Sequence, residues 1–234
     1  MDFLDKLNPE QREAVLHREG PLLILAGAGS GKTRVITFRI AYLIGDGHAN
    51  PDEVLAVTFT NKAAQEMRDR VEALIGSASS AVWLSTVHSL CARLLRREAP
   101  KIGLSRDFVI YDSSDQVAVV RQAERELGID DKMVPPRAAL SRISQAKNRM
   151  EGPESMRGTW NIRDEQIAKI YERYVTALRD ANALDFDDLL LKTVELLETC
   201  EPVRDFYARK FKYVMVDEYQ DTNRPQYLLI RRLA

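Results

Sequence analysis

The chain has 234 residues, 45% of them apolar and 29% charged, the make-up of a globular protein large enough to bury a core without metal or disulfide staples. With 34 Lys+Arg against 35 Asp+Glu the formal net charge is −1, which excludes a polycation that coats nucleic acid by bulk charge but not a local basic groove. Apolar runs such as Leu22 to Ala26 are far too short to cross a bilayer, Met1-Asp2-Phe3-Leu4-Asp5 is not a signal peptide, and Cys91 and Cys200 have neither zinc nor disulfide-framework spacing. The expectation is a cytoplasmic protein with two buried thiols and no membrane partner.

An amphipathic helix is expected to begin at Asn8-Pro9. Pro21-Leu22-Leu23-Ile24-Leu25-Ala26 reads as a strand buried on both faces of a parallel sheet. Gly27 to Gly31 breaks it, and a helix pattern runs from Lys32 to Ile44. Val54 to Phe59 reads as a second strand, after which Asn61 is expected to cap a helix that Gly76 stops. Val82 to Ser85 is a third strand, followed by a helix from Val87 to Arg97. This alternation predicts a doubly wound α/β sheet.

Between Asp107 and Ala183 the pattern changes. Apart from Phe108-Val109-Ile110 the strand signal disappears, and helices are predicted over 114–127, 137–147 and 163–180, separated by Pro135-Pro136 and Glu151-Gly152-Pro153. Helices over 186–198 and 203–209 follow, then the strand Tyr213 to Asp217 and a closing helix from Asn223 to Leu233. The predicted organisation is an α/β domain in two sequence pieces, 1–106 and 184–234, with an all-helical subdomain inserted at 107–183. Trp83 and Trp160 read as packing residues.

The strongest local signal is Ala26-Gly27-Ala28-Gly29-Ser30-Gly31-Lys32-Thr33, a glycine-rich turn between a strand and a helix. Such glycines let backbone N–H groups curl around phosphate oxygens at a helix N-terminus. Lys32 is placed to reach β- and γ-phosphates, and the Thr33 hydroxyl to ligate Mg²⁺. The strict pattern has Gly where this chain has Ala26. Asp217 and Glu218 end an apolar strand, which is the ligand-binding edge of an open α/β sheet. Asp217 suits Mg²⁺, and Glu218 suits activation of a water that attacks the γ-phosphate.

Read in order, these motifs resemble superfamily I DNA helicases of the UvrD/PcrA/Rep type. Leu7-Asn8-Pro9-Glu10-Gln11 resembles that family's adenine-reading segment, ahead of the phosphate loop. Val57-Thr58-Phe59-Thr60-Asn61-Lys62-Ala63-Ala64 and Ser85-Thr86-Val87-His88-Ser89 resemble its single-strand-contacting motifs. Leu184-Asp185-Phe186-Asp187-Asp188-Leu189 and Val216-Asp217-Glu218-Tyr219-Gln220-Asp221-Thr222-Asn223 complete the series. The fold implied is a RecA-like P-loop NTPase domain with a parallel sheet and a helical insertion.

The resemblance implies a catalytic set of Glu218, Asp217, Lys32 and Gln220, the last coupling the γ-phosphate to the DNA side. The nucleotide site would comprise Gln11, Ala26, Gly27, Ala28, Gly29, Ser30, Gly31, Lys32, Thr33 and Arg34, with Thr33 and Asp217 on Mg²⁺ and ATP as the nucleotide. Gln11 could pair with adenine N6 and N7 or be a plain surface residue. Arg34 lies beside the nucleotide or on a solvated face. Phe59 stacks on a base or fills the core, with Thr60 and Asn61 on phosphate. Thr86 and His88 are similarly placed, and Phe186 would lie near the DNA path. The Asp185–Asp188 cluster equally reads as helix capping. Two basic runs, Arg93 to Arg106 and Arg137, Arg142, Lys147 and Arg149, either line a phosphate backbone or form solvated faces.

The implied activity is that of a 3′-to-5′ DNA helicase of repair or replication, acting on single-stranded or tailed duplex DNA. That family continues with a second RecA-like domain carrying arginine fingers, so the expected partners include carboxyl-terminal helicase domains of a parent protein. The expected behaviour of the chain alone is ATP binding with little or no unwinding. A nucleotide-dependent DNA-binding switch and a helicase-nuclease subunit are the alternatives.

Overall fold

The computed structural model describes residues 2–27, 29–158 and 161–234. Met1, Ala28, Thr159 and Trp160 lie outside the described residues. In chain order the helices are α1 (Pro9–Leu16), α2 (Lys32–Gly45), α3 (Asn61–Ile75), α4 (Val87–Glu98), α5 (Ser113–Leu127), α6 (Pro136–Asn148), α7 (Ile162–Asp180), α8 (Phe186–Thr199), α9 (Glu201–Lys210) and α10 (Arg224–Leu233). The strands are β1 (Val54–Thr58), β2 (Trp83–Thr86), β3 (Val109–Ile110), β4 (Ala183–Leu184) and β5 (Tyr213–Val216). The chain forms two compact units, one made of Met1–Leu90, Asp205–Asp221 and Leu233–Ala234, the other of Cys91–Arg204 and Thr222–Arg232. The sequence expectation divides the chain at 106/107 and 183/184 instead.

The first unit is built on a parallel sheet of order β2-β1-β5. All five residues of the central strand β1 are buried, as the unbroken Val-Leu-Ala-Val run demands of a strand covered on both faces. Val15, Ile40, Leu43, Met67 and Val71 pack with it into one core. Trp83 is a packing residue, 5% exposed and edge-on to Phe211 with ring centroids 5.1 Å apart. The helix after β1 is capped by Thr60, whose Oγ1 accepts from the Ala63 N–H at 3.1 Å, and not by Asn61. Thr60 keeps the extended backbone that a cap needs, whereas Asn61 is already the first helical residue. Gly76 ends the helix as expected.

One predicted strand is absent. Residues 21–26 join no ladder, and Leu22, Leu23 and Leu25 are 41%, 68% and 86% exposed. Apolar composition does not make a strand by itself. A strand exists through the neighbours that bond its N–H and C=O groups, and among the described residues none pairs with this run.

In the second unit α5, α6 and α7 enclose a separate core around Val120, Ile143, Ile167, Tyr171 and Tyr174. The strand signal at Phe108–Ile110 becomes β3, paired in parallel with β4. Asp185 caps α8 with a capping box, its side chain accepting from the Asp188 N–H at 2.7 Å. The run Arg137 to Arg149 is neither a phosphate track nor a solvated face throughout. Lys147 is 2% exposed and lies 2.7 Å from both Asp185 and Asp188. In the other run, Arg96 lies over the Phe108 ring, 3.8 Å from its centroid. Cys91 is buried, and burial pushes its thiol up to about 12; Cys200 is half-buried, and both are free. Among the described residues no helix is long and apolar enough to cross a membrane.

Candidate functional site

The site grows out of the loop that feeds α2. Gly29 and Gly31 sit at φ of +76° and +87°, in the left-handed region that a side chain disfavours. At Gly31 a Cβ would also meet Gln11 Nε2 at 2.8 Å. No side chain caps α2, so its first N–H groups and the positive end of its dipole face the loop. Lys32, at the first position of the helix, turns its ammonium back on the loop and donates to the Ala26 and Gly27 carbonyls at 2.9 and 3.1 Å.

Gln11 is a link between α1 and the loop. Its Oε1 accepts from the Asn8 N–H at 3.2 Å, closing a capping box, and its Nε2 donates to the Ser30 carbonyl at 2.9 Å. Arg34 donates to the Lys6 carbonyl at 3.0 Å, and its guanidinium lies 5.1 Å from the centroid of the Phe38 ring.

The acidic strand end meets this loop. Thr33 Oγ1 donates to Asp217 Oδ2 at 3.1 Å, joining residues 184 apart in sequence. Asp217 is 4% exposed, and its N–H extends the β1 ladder to the Val57 carbonyl at 3.0 Å. Burial raises its carboxyl above the usual aspartate range; the Thr33 hydrogen bond works the other way and the Glu218 charge adds to the rise. Glu218 follows at φ of +52°, a strained conformation for a residue with a side chain, and its N–H donates to Asp217 Oδ1 at 3.1 Å. Gln220 Nε2 donates to Glu218 Oε2. A cleft of about 560 Å³ is lined by Ala26, Gly29, Gly31, Lys32, Thr33, Arg34, Arg70, Glu218 and Gln220.

Residues 7–234 match the model of the UvrD/REP helicase N-terminal domain. The chain belongs to that family. It is 47% identical over 233 residues to the ATP-dependent DNA helicase PcrA of Bacillus subtilis (strain 168), and equally to that of Staphylococcus aureus (strain Mu50 / ATCC 700699). Each alignment covers 99% of this chain and 32% of the relative, so the chain spans about a third of the length of these curated relatives.

In this UvrD/REP-type domain a second group of predicted residues occupies the same carboxyl edge of the sheet. Thr58 and Thr86 are paired across β1 and β2, so Phe59, Thr60 and Asn61 leave one strand beside Thr86 and His88 leaving the next. Phe59 and His88 are half-buried, and Thr60 and Asn61 are exposed. Thr86 is 6% exposed; its hydroxyl lies 2.8 Å from Ser89 Oγ and accepts from the Ser89 N–H, capping α4. Arg68 donates to the Leu84 carbonyl at 2.8 Å and ties α3 to β2. Phe186 belongs to the other unit, where it opens α8 and is 48% exposed. Ala28 lies outside the described residues.

Sequence reasoning missed Arg70. It projects from α3 into the cleft lining, 3.4 Å from Glu66 on the preceding turn. An exposed arginine on a helix carries no local signal of the cleft it turns towards, because that cleft is made by residues distant in the chain on both sides of it.

Proposed function

We propose that the chain is the nucleotide-binding part of a 3′-to-5′ DNA helicase of repair or replication, using ATP and Mg²⁺ and moving on single-stranded or tailed duplex DNA. The observation that carries this reading is the Thr33–Asp217 hydrogen bond, which puts a hydroxyl and a carboxylate side by side at a glycine loop and a helix N-terminus. That donor set suits Mg²⁺, which takes one or two protein oxygens and completes its shell with phosphate and water. Among the described residues no group of three or more His, Cys, Asp or Glu competes as a metal cage.

In this reading Thr33 and Asp217 hold the metal, which supplies positive charge against the β- and γ-phosphates when bound. Lys32 exchanges its two carbonyl partners for phosphate oxygens. Glu218 takes a proton from the attacking water, and Gln220, bonded to Glu218, couples that carboxylate to the DNA side. Phe59, Thr60, Asn61, Thr86, His88 and Phe186 contact the DNA strand, and Gln11 reads the base. The helical unit is an inserted subdomain. Carboxyl-terminal domains of a longer parent protein supply an arginine finger, worth ~10³–10⁵ in rate in comparable enzymes. The chain alone therefore binds ATP–Mg²⁺ weakly and does not unwind.

Titration with a non-hydrolysable ATP analogue and Mg²⁺ tests this reading. Binding is expected for the wild type and lost in Lys32→Ala; equal binding by both overturns the assignment. Catalytic, ATP-dependent separation of a duplex with a 3′ tail would overturn the claim that further domains are needed.

A further inference from the structure

We propose that Arg39 is the positioning residue of the nucleotide site: from within α2 it holds the short helix α1, and with it Gln11, against the phosphate loop. The proposal rests on the nucleotide reading above. At eight residues α1 is too short to persist without support at both ends. The amino end is supported locally, by Pro9 and the Asn8–Gln11 capping box. The carboxyl end has no basic residue of its own in the last turn, and its terminal carbonyls need donors from elsewhere.

Arg39 supplies them. Its Nη1 donates to the Ala14 carbonyl, in the last turn of α1, at 3.1 Å and to the carbonyl of its cap, His17. Arg39 is only 9% exposed, and among the described residues no carboxylate pairs with it. A buried guanidinium without an acid is costly unless its donors are answered. Here the negative end of a helix answers the two bonds of Nη1, which makes the guanidinium and the helix mutually dependent. Because its hydrogen bonds go to carbonyls of α1 and its cap, Arg39 acts through α1.

The consequence falls on Gln11. The Asn8 N–H on Oε1 and the Ser30 carbonyl on Nε2 fix the carboxamide's direction and leave each end one further bond to make. One acceptor beside one donor fits the N6–H and N7 of adenine, whereas guanine offers two acceptors there. Gly31 permits the close approach, since a Cβ at that position would lie 2.8 Å from Nε2. If α1 loosens, the carboxamide loses its fixed direction, while Lys32, Thr33 and the amides of α2 keep their grip on phosphate. Arg39 should thus govern preference for the base and not affinity for the phosphates.

The experiment compares binding of ATP, GTP and inorganic tripolyphosphate, each with Mg²⁺, to the full chain. A bidentate base contact gives a preference of about 5- to 150-fold for ATP over GTP in the wild type. In Arg39→Met that preference should fall to within about threefold of unity, with tripolyphosphate affinity unchanged to about twofold. Gln11→Ala should lose the same preference, and the double variant no more than either single one. Arg39→Lys should restore part of it, because an ammonium can donate to the same carbonyls. A folded Arg39→Met with wild-type preference overturns the proposal, as does an equal loss of ATP and tripolyphosphate binding. If Arg39→Met does not fold, Arg39→Lys decides: an intermediate preference and faster hydrogen exchange in α1 than in α2 support the proposal, and wild-type values for both overturn it. A wild type that binds no triphosphate, or binds it independently of Lys32, overturns the nucleotide site itself and is distinguishable from these outcomes.

Discussion

Lys32 in the first unit and Lys147 in the second have the same side chain and opposite surroundings. Lys32 is half-buried at the start of α2, and among the described residues its ammonium bonds the Ala26 and Gly27 carbonyls. Lys147 is 2% exposed in α6, bonded to Asp185 and Asp188 at 2.7 Å each, and lies over the Tyr174 ring with Nζ 5.2 Å from its centroid. Tyr174 in turn donates to Asp185 at 2.9 Å, so the buried oxygens share several donors. Burial alone would lower the Lys147 pKa; Asp188 and Asp185 outweigh it and raise it. On the partner's side burial wins, and the Asp188 carboxyl is raised despite Lys147. What answers the charge separates the two roles. Neutral carbonyls hold Lys32 loosely enough for a phosphate to replace them, whereas two carboxylates hold Lys147 as a structural cation.

The comparison breaks first at Lys147. Lys147→Met leaves the buried Asp185 and the half-buried Asp188 without their cation and should cost about 3–5 kcal/mol of stability in urea unfolding. The loss should shrink under mild acid, because the raised Asp188 carboxyl takes up a proton as the pH falls. In the wild type the Lys147 contribution is fully present below the ordinary lysine pKa and disappears as the pH rises through the raised one. The Lys147 share of alkaline destabilisation should therefore be missing from the variant, whereas the share from the Cys91 thiol, raised by burial, is common to both proteins. An unchanged urea midpoint at neutral pH would show that the cage adds nothing to stability.

Lys32→Ala should do the reverse, removing nucleotide binding while leaving unfolding stability within about 0.5 kcal/mol. Glu218→Gln sharpens the contrast within the site. It should keep nucleotide affinity and lower any basal ATP hydrolysis by roughly 10²–10⁴, the range for loss of a general base. Undiminished hydrolysis in a single-turnover assay would remove Glu218 from that role.

The smallest effect concerns α3. Thr60→Ala should cost about 1 kcal/mol through the lost cap, and Asn61→Ala less than about 0.5 kcal/mol. Thermal unfolding of the two variants measures this, and the opposite ranking would return the cap to Asn61.

Much of the molecule was legible in one dimension because it rests on local physics. A glycine turn before a helix, an apolar strand ended by acids, the helix start at Asn8-Pro9 and the caps at Asp185 and Gly76 are each set within a few residues of sequence. The order of these motifs was legible too, and it carried the family. Other features depend on partners distant in the chain. Residues 21–26 have a strand's composition and no ladder, since hydrogen-bonding neighbours decide whether a strand exists. Lys147 looks like one more surface cation until Asp185 and Asp188 arrive beside it, 38 and 41 residues on. Arg70 and Arg39 are ordinary helix arginines until the fold supplies a cleft for one and the end of α1 for the other. Sequence by itself determined which chemical groups this protein possesses and which local turns and caps display them. Tertiary structure alone decided which charges are answered by other charges and which by backbone carbonyls, because a charge's energy depends on its burial and on neighbours that only the folded chain brings within a few ångströms.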